Sequence, residues 1–174
     1  ISALLHDKEG NLWVGTDKGG LTLLSNSKFL TYTSIDGLPG DIVYPIHESS
    51  DGSIWIGTRK GLSRFKDNHF EKFTRFNTAN ELTSNQIRSI DSASDGSLWI
   101  GAYTSGVLHY KDDHFQNYNV THGLPDNKTR TLLVDSQDRV WVGTDKGLAL
   151  FDGEKFEAYR PDICPAVSIL HIIE

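Results

Sequence analysis

An all-β fold of repeated four-stranded antiparallel meanders is predicted by three observations. Trp13, Trp55, Trp99 and Trp141 recur at intervals of 42, 44 and 42 residues. Each is followed two positions later by a glycine, at Gly15, Gly57, Gly101 and Gly143, and then by another at Gly19, Gly61, Gly106 and Gly147. Two aromatic columns keep the same rhythm: Phe29, Phe70, Phe115 and Phe156, then Tyr32, Phe73, Tyr118 and Tyr159. A period of about 40–45 residues is that of a β-propeller blade, a wedge of four short strands radiating from a central axis.

The second unit shows how each strand is read. Residues 42–48 are expected as strand one, 54–58 as strand two, 62–66 as strand three and 69–74 as strand four. Ser-Asp-Gly-Ser ahead of Trp55 and Trp99 supplies the positive-φ residue of a tight hairpin, and Asp152-Gly153 does the same between the last two strands of the fourth unit. No helix signal interrupts the pattern. In strand two, Trp55 and Gly57 share one face while Ile54 and Ile56 share the other, so the strand is expected to be sandwiched between neighbouring sheets. Burying one indole at ~25 cal/mol per Å² is worth about 4–6 kcal/mol as a gross upper bound. The four tryptophans are therefore read as packing residues, because recurrence in every unit is what a core role demands.

The repeats fall at about 1–36, 37–79, 80–122 and 123–164, and a fifth begins at 165–174, where residues 167–171 match the first strand of the earlier units. Four repeats plus one extra strand either close on themselves or form part of a larger ring whose open faces expose apolar strands and invite homodimers or self-association.

The composition agrees. The 174 residues carry 17 Lys+Arg and 23 Asp+Glu, a net charge of −6, with 37% hydrophobic residues, 16 Gly and 5 Pro. This describes a folded, turn-rich chain. Without a concentrated basic run, nucleic acid is not an expected partner. Cys164 is the single cysteine, which excludes an internal disulfide framework. No apolar stretch reaches the ~20 residues that cross a bilayer. The lack of Met and the strand-like opening Ile1-Ser2-Ala3-Leu4-Leu5 are expected of a segment of a longer protein, with neither initiator nor signal peptide.

Gly-Leu-Pro at 37–39 and 123–125, Ser-Asp-Gly-Ser-Ile-Trp-Ile-Gly-Thr at 50–58, and Gly-Leu followed by an aromatic and Asp-Gly or Asp-Asn resemble the two-component regulator propeller repeat over essentially the whole chain. The resemblance implies an extracytoplasmic, periplasmic sensor region of a hybrid histidine kinase, or sometimes of a diguanylate cyclase or membrane-linked regulator. It implies a seven-bladed ring, often two in tandem, followed by an Ig-like domain, a membrane helix and a cytoplasmic output module. In the gut-bacterial branch it implies oligosaccharide ligands. The third unit departs from the pattern: Asn80-Glu81-Leu82-Thr83 replaces Gly-Leu-Pro, and Gly101–Gly106 encloses one more residue than its equivalents.

In a meander propeller the strand four to strand one connector and the strand two to strand three loop emerge on one face, around the channel mouth. Columns that vary there are free for function. The loop after each Trp-x-Gly varies as Asp17-Lys18, Arg59-Lys60, Tyr103-Thr104-Ser105 and Asp145-Lys146. The column at the start of strand one varies as Ser2, Tyr44, Arg88, Arg130 and Ser168. Candidate ligand-binding residues are therefore Tyr44, Arg59, Lys60, Arg88, Tyr103, Arg130 and Lys146. Guanidinium forks pair with carboxylate or sulfate and tyrosine rings stack on sugars, which points to an acidic oligosaccharide or other small anion. The ordinary expectation beside it is that these cations are solvated or paired with Asp41, Asp126 or Asp145.

No catalytic residue, cofactor or metal is expected. His69 and His114 share one slot and His47 and His171 another, each on different blades and without an acidic partner at metal spacing, so they are read as structural or surface residues, and His122, in a blade-to-blade connector, is a lone imidazole that points to no site. Asp51-Gly52 and Asp95-Gly96 read as turns, not calcium loops. The competing functions are a propeller lyase, requiring a metal and a His/Glu cluster at the channel, and a protein-interaction scaffold.

Overall fold

A computed structural model describes residues 1–26, 28–74, 78, 82–159 and 167–174. Cys164, the Asn80-Glu81 departure and the repeat boundaries near 79–80 and 164–165 lie outside the described residues.

Four antiparallel sheets follow one another, each a meander in chain order. Blade one holds β1 (Ala3–His6), β2 (Leu12–Gly15), β3 (Leu21–Ser25) and β4 (Lys28–Tyr32). Blade two holds β5 (Val43–Glu48), β6 (Ile54–Thr58), β7 (Gly61–Lys66) and β8 (His69–Phe73). Blade three holds β9 (Ile87–Ser92), β10 (Leu98–Ala102), β11 (Gly106–Lys111) and β12 (His114–Tyr118). Blade four holds β13 (Thr129–Val134), β14 (Val140–Thr144), β15 (Gly147–Phe151) and β16 (Phe156–Ala158). The architecture is the all-β propeller that the repeats predict. The strands expected in unit two differ from those observed by a residue at three of their ends. The expectation of no helix is corrected by one 3₁₀ turn, Val120–His122, whose cap Asn119 accepts from Thr121 N at 2.9 Å and which ends on left-handed Gly123.

Turn chemistry explains the hairpins. Asp51 accepts from Ser53 N at 3.0 Å and from Ser49 Oγ at 2.7 Å, while Gly52, at φ 77°, makes the left-handed step that a three-residue loop needs. The β7–β8 and β11–β12 turns use Asp67-Asn68 and Asp112-Asp113 with both residues at positive φ, a conformation that Asp and Asn tolerate.

First strands pack on one another, β1 on β5, β5 on β9 and β9 on β13. No packing of that extent joins β13 to β1 among the described residues, so these four blades do not close on themselves. Each junction repeats one aromatic arrangement. Trp13 meets Phe65, Trp55 meets Tyr110 and Trp99 meets Phe151, with ring centroids 5.4, 5.3 and 4.8 Å apart. Further out, Tyr32 meets Phe70, Phe73 meets Phe115 and Tyr118 meets Phe156. The tryptophans at these junctions are 2–4% exposed, as their packing role requires.

The glycine after each Trp has a steric cause. A β-carbon on Gly57 would lie 2.6 Å from Ile87 Cγ2, and one on Gly15 would lie 2.8 Å from Val43 Cγ1. Gly101 meets Thr129 and Gly143 meets Ile169 in the same way. The side chain that opens each first strand therefore seats on the glycine of the preceding blade. The expected fifth strand follows this rule: Ile169 N donates to the Thr144 carbonyl at 2.9 Å, as Val43 N does to Thr16. Residues 167–174 nevertheless form no ladder, because none of the described residues offers a strand on their far side.

Candidate functional site at the channel mouth

Tyr44, Arg88 and Arg130 each stand second in a first strand, and each falls at a break in the ladder. Ser89 pairs with Gly101 and Ile87 with Ala102, leaving Arg88 as the extra residue. Thr129 pairs with Thr144 and Thr131 with Gly143, leaving Arg130 extra. In blade two the register shifts between Val43 and Ile46, around Tyr44. A bulge re-aims its extra side chain, and here it does so at the same position in blades two, three and four.

The re-aimed groups form a ladder across three blades. The Arg88 guanidinium lies 4.0 Å from the Tyr44 ring centre and 5.0 Å from that of Tyr103, and Arg130 lies 4.7 Å from Tyr103. Cation–π contacts of this kind contribute about 0.5–2 kcal/mol each. Tyr103 reaches the rim because the longer β10–β11 loop is tied down: Tyr103 N donates to Gln86 O at 2.9 Å, Thr83 bonds Ser105, and Asn117 Nδ2 donates to Ser105 O.

The two arginines differ in charge balance. Arg130 is held by Asp145 through two parallel bonds, Nε to Oδ1 at 2.5 Å and a terminal nitrogen to Oδ2 at 3.1 Å. That hydrogen bond raises the Arg130 pKa and lowers that of Asp145, which also accepts from Ser168. Arg88 has no hydrogen bond or ion pair with any described residue, and its Nε is buried. Lys146 lies 3.5 Å from Asp126. Pairing with a carboxylate thus describes Arg130 and Lys146, while half-buried Arg88 has no such partner among the described residues.

Arg59 and Lys60 do not join the ladder. With Lys18, Gly40, Asp41 and Ile42 they line a cleft of about 270 Å³ between blades one and two. Neither has a carboxylate partner among the described residues. The loop that presents them is rigid, since Thr58 Oγ1 donates to Gly61 O at 2.9 Å and accepts from Lys60 N at 3.1 Å.

The opposite end of the first strands carries a contact not foreseen from spacing. His47 Nε2 lies 2.9 Å from Ser92 Oγ in the next blade, and its Nδ1 lies 3.9 Å from Asp91. Asp91 accepts in turn from Val134 N of blade four at 2.9 Å. Burial holds the His47 pKa below its ordinary value. The long Nδ1 distance and the backbone donors already on Asp91 make this a cross-blade strut and not a relay for a nucleophile. Among the described residues no group of three His, Cys, Asp or Glu side chains is placed to hold a metal, and no helix is long and apolar enough to cross a membrane.

Residues 1–18, 37–60 and 123–146 match the two component regulator propeller family. These segments lie in units one, two and four, and the divergent third unit is not among them. Histidine kinase P4 of Formosa agariphila is 43% identical over 53 residues, which are 30% of this chain and 4% of that protein. The extracellular domain assigned to the hybrid two component system BT3049 of B. thetaiotaomicron superposes with a TM-score of 0.83 at 24% identity, covering 97% of this chain and 24% of that one. Virginiamycin B lyase from Staphylococcus aureus superposes at 0.70 with 16% identity, covering 90% and 54%. The chain therefore spans about a quarter of the sensor domain it matches.

Proposed function

We propose that this chain, which is built from two-component regulator propeller repeats, is the ligand-sensing part of a two-component signalling protein and acts outside the cytoplasm. It recognises a small ligand, an oligosaccharide or another small molecule, on the channel-mouth face where Tyr44, Arg88, Tyr103 and Arg130 meet. Signal output belongs to a histidine kinase or related module elsewhere in the protein.

One observation carries this reading: the Arg88 guanidinium lies against two tyrosine rings, 4.0 and 5.0 Å from their centres, with no acid to neutralise it among the described residues. An arginine kept for packing alone would be expected to find a carboxylate, as Arg130 does with Asp145. The buried Nε of Arg88 has no partner and its terminal nitrogens are left to receive an incoming oxygen. Stacking also removes the entropy cost of fixing the fork before binding. The rings are already engaged by guanidinium groups, so recognition rests on the cation more than on sugar stacking against Tyr44 or Tyr103.

The test is calorimetric titration of the full-length protein against a panel of neutral and acidic oligosaccharides, repeated with Arg88→Ala. Loss of at least about tenfold in affinity, or ~1.4 kcal/mol, is expected. Unchanged affinity and unchanged signalling in the variant would remove this face from ligand recognition.

A further inference from the structure

Resting on that reading, we infer that the ligand carries two anionic groups, one received by Arg88 and the other by the cleft of Lys18, Arg59 and Lys60. The chain has a net charge of −6, yet among the described residues Lys18, Arg59, Lys60 and Arg88, none with a carboxylate partner, lie on this face, while Lys28, likewise unpaired, stands apart on β4. Toward blade four the positive groups each have a carboxylate partner: Arg130 and Lys128 share Asp145, and Lys146 meets Asp126. Toward blade one this is not so. Lys18, Arg59 and Lys60 have no carboxylate partner among the described residues. Asp41 is the one acid in the cleft wall, and both its oxygens already accept from Ser34, at 2.6 Å from the backbone nitrogen and 3.1 Å from Oγ. Three cations thus face one carboxylate that is already engaged.

The two centres adjoin through one short run of chain. Ile42 lines the cleft and its carbonyl accepts from Arg59 N at 3.0 Å, while Tyr44, two residues on, carries the Arg88 guanidinium on its ring. Two residues of extended chain span ~7 Å. The two centres therefore belong to one stretch of the rim, where a ligand bearing two oxyanions, such as a disulfated disaccharide or a short dicarboxylate, would meet both. Arg88 offers a planar, preorganised fork for one oxyanion, and the lysines offer mobile point charges for the second. The second contact adds to the first as an intramolecular event, so the pair of charges binds far better than either alone.

The experiment titrates the full-length protein with four probes: one disaccharide in unsulfated, monosulfated and disulfated forms, and a linear dicarboxylate of similar span. The disulfated form is expected to bind about tenfold or more tighter than the monosulfated one, with an affinity that falls as salt rises. The double variant Arg59→Gln, Lys60→Gln should erase that advantage while leaving monosulfated binding and the denaturation midpoint in place. Arg88→Gln should weaken both sulfated probes. Dicarboxylate binding would assign the spacing of charges as the recognised feature, and its failure beside tight disulfated binding would assign the sugar frame as well. Equal affinity for mono- and disulfated probes, or an unaltered advantage in the double variant, overturns the inference and leaves the ligand-sensing reading standing. Binding of the unsulfated sugar alone does the same. No binding by any probe overturns both.

Discussion

Blades two and three are built from the same unit as blades one and four, yet they are held differently. In the interior blades β6 and β10 are buried along their whole length. In the end blades β2 and β14 are not: Leu12 and Val14 are half-buried, and Trp141 is the one indole of the four that is not fully buried. Phe29, 72% exposed, occupies the slot where Phe70 packs on Tyr32, and Leu4 is 61% exposed. A wedge of this kind is therefore stabilised by its neighbours more than by itself, which is the behaviour of quasi-one-dimensional repeat arrays.

The hairpin before each Trp differs along the same line. In the end blades an aspartate at the head of the turn accepts from the indole, Asp7 from Trp13 Nε1 at 2.7 Å and Asp135 from Trp141 Nε1 at 2.8 Å. In the interior blades that slot holds Ser49 and Ala93, and the acid moves to Asp51 and Asp95, which tie down Ser53, Ser97 and strand-three lysines. A charged hydrogen bond anchors the ring in blades one and four. Contact on both faces anchors it inside.

Trp99→Ala is expected to break this contrast most forcefully, with a loss of about 3–5 kcal/mol in denaturant unfolding, while Trp141→Ala loses less than half as much. Equal losses would mean that the end blade is as tightly held as the interior. Next comes Gly57→Ala. A methyl there meets Pro45 Cγ at 2.5 Å and Ile87 Cγ2 at 2.6 Å, and about 1–3 kcal/mol should be lost. A methyl on Gly143 meets Thr131 Cγ2 and Ile169 Cγ2, each at 2.7 Å, and Gly143→Ala should cost less only through Ile169, which sits on a segment without ladder partners. A reversed order would show that residues 167–174 are as rigid as a paired strand.

A smaller loss is expected from Asp135→Asn, read as a lower melting temperature, with Asp95→Asn smaller still because its bonds lie at the surface. Burial alone would raise the Asp135 pKa, but bonds from Trp141, Arg139 and Gln137 outweigh it and hold the carboxyl below the ordinary range. The Lys111 bond, with Ser97, does the same for Asp95. Folded values below unfolded ones mean that this stability is present above about pH 4 and is lost as pH falls through the lower folded values. An acid melting curve flat across that range in wild type would contradict it.

The smallest effect belongs to His47, which faces Asp91, Ser92, Glu48 and Lys8. Its folded pKa is lowered by burial, so its contribution is complete above about pH 6.5 and declines as pH falls. Replacing it with Gln should flatten the melting temperature between about pH 6.5 and 5, and an unchanged slope would assign that dependence elsewhere.

Periodicity made the sheets legible because one steric requirement recurs at every Trp-x-Gly. The partner of each indole is the strand-three column of Phe65, Tyr110 and Phe151, legible in the sequence as the aromatic after Gly-Leu at Phe65 and Phe151 but not as a packing column, because its first member is Leu24. At the rim, sequence placed Tyr44, Arg88 and Arg130 in one slot, but a slot does not specify a charge partner. Asp145 reaches Arg130 from its own blade's loop, while Arg88 has Tyr103 where that acid would stand. The bulges that aim these side chains leave no composition signal at all. The His47 strut was hidden for a related reason, since residues equivalent in the repeat lie on different blades and spacing along the chain says nothing about which dissimilar residues meet across a junction.

The seating of each opening side chain on the glycine one unit back has a genealogical consequence. Every unit presents a socket to its successor and a plug to its predecessor, so no single unit encodes how many there are. Duplication or deletion of whole units by recombination leaves each joint intact, and lineages can alter the circumference of the assembly while the rim residues diverge independently.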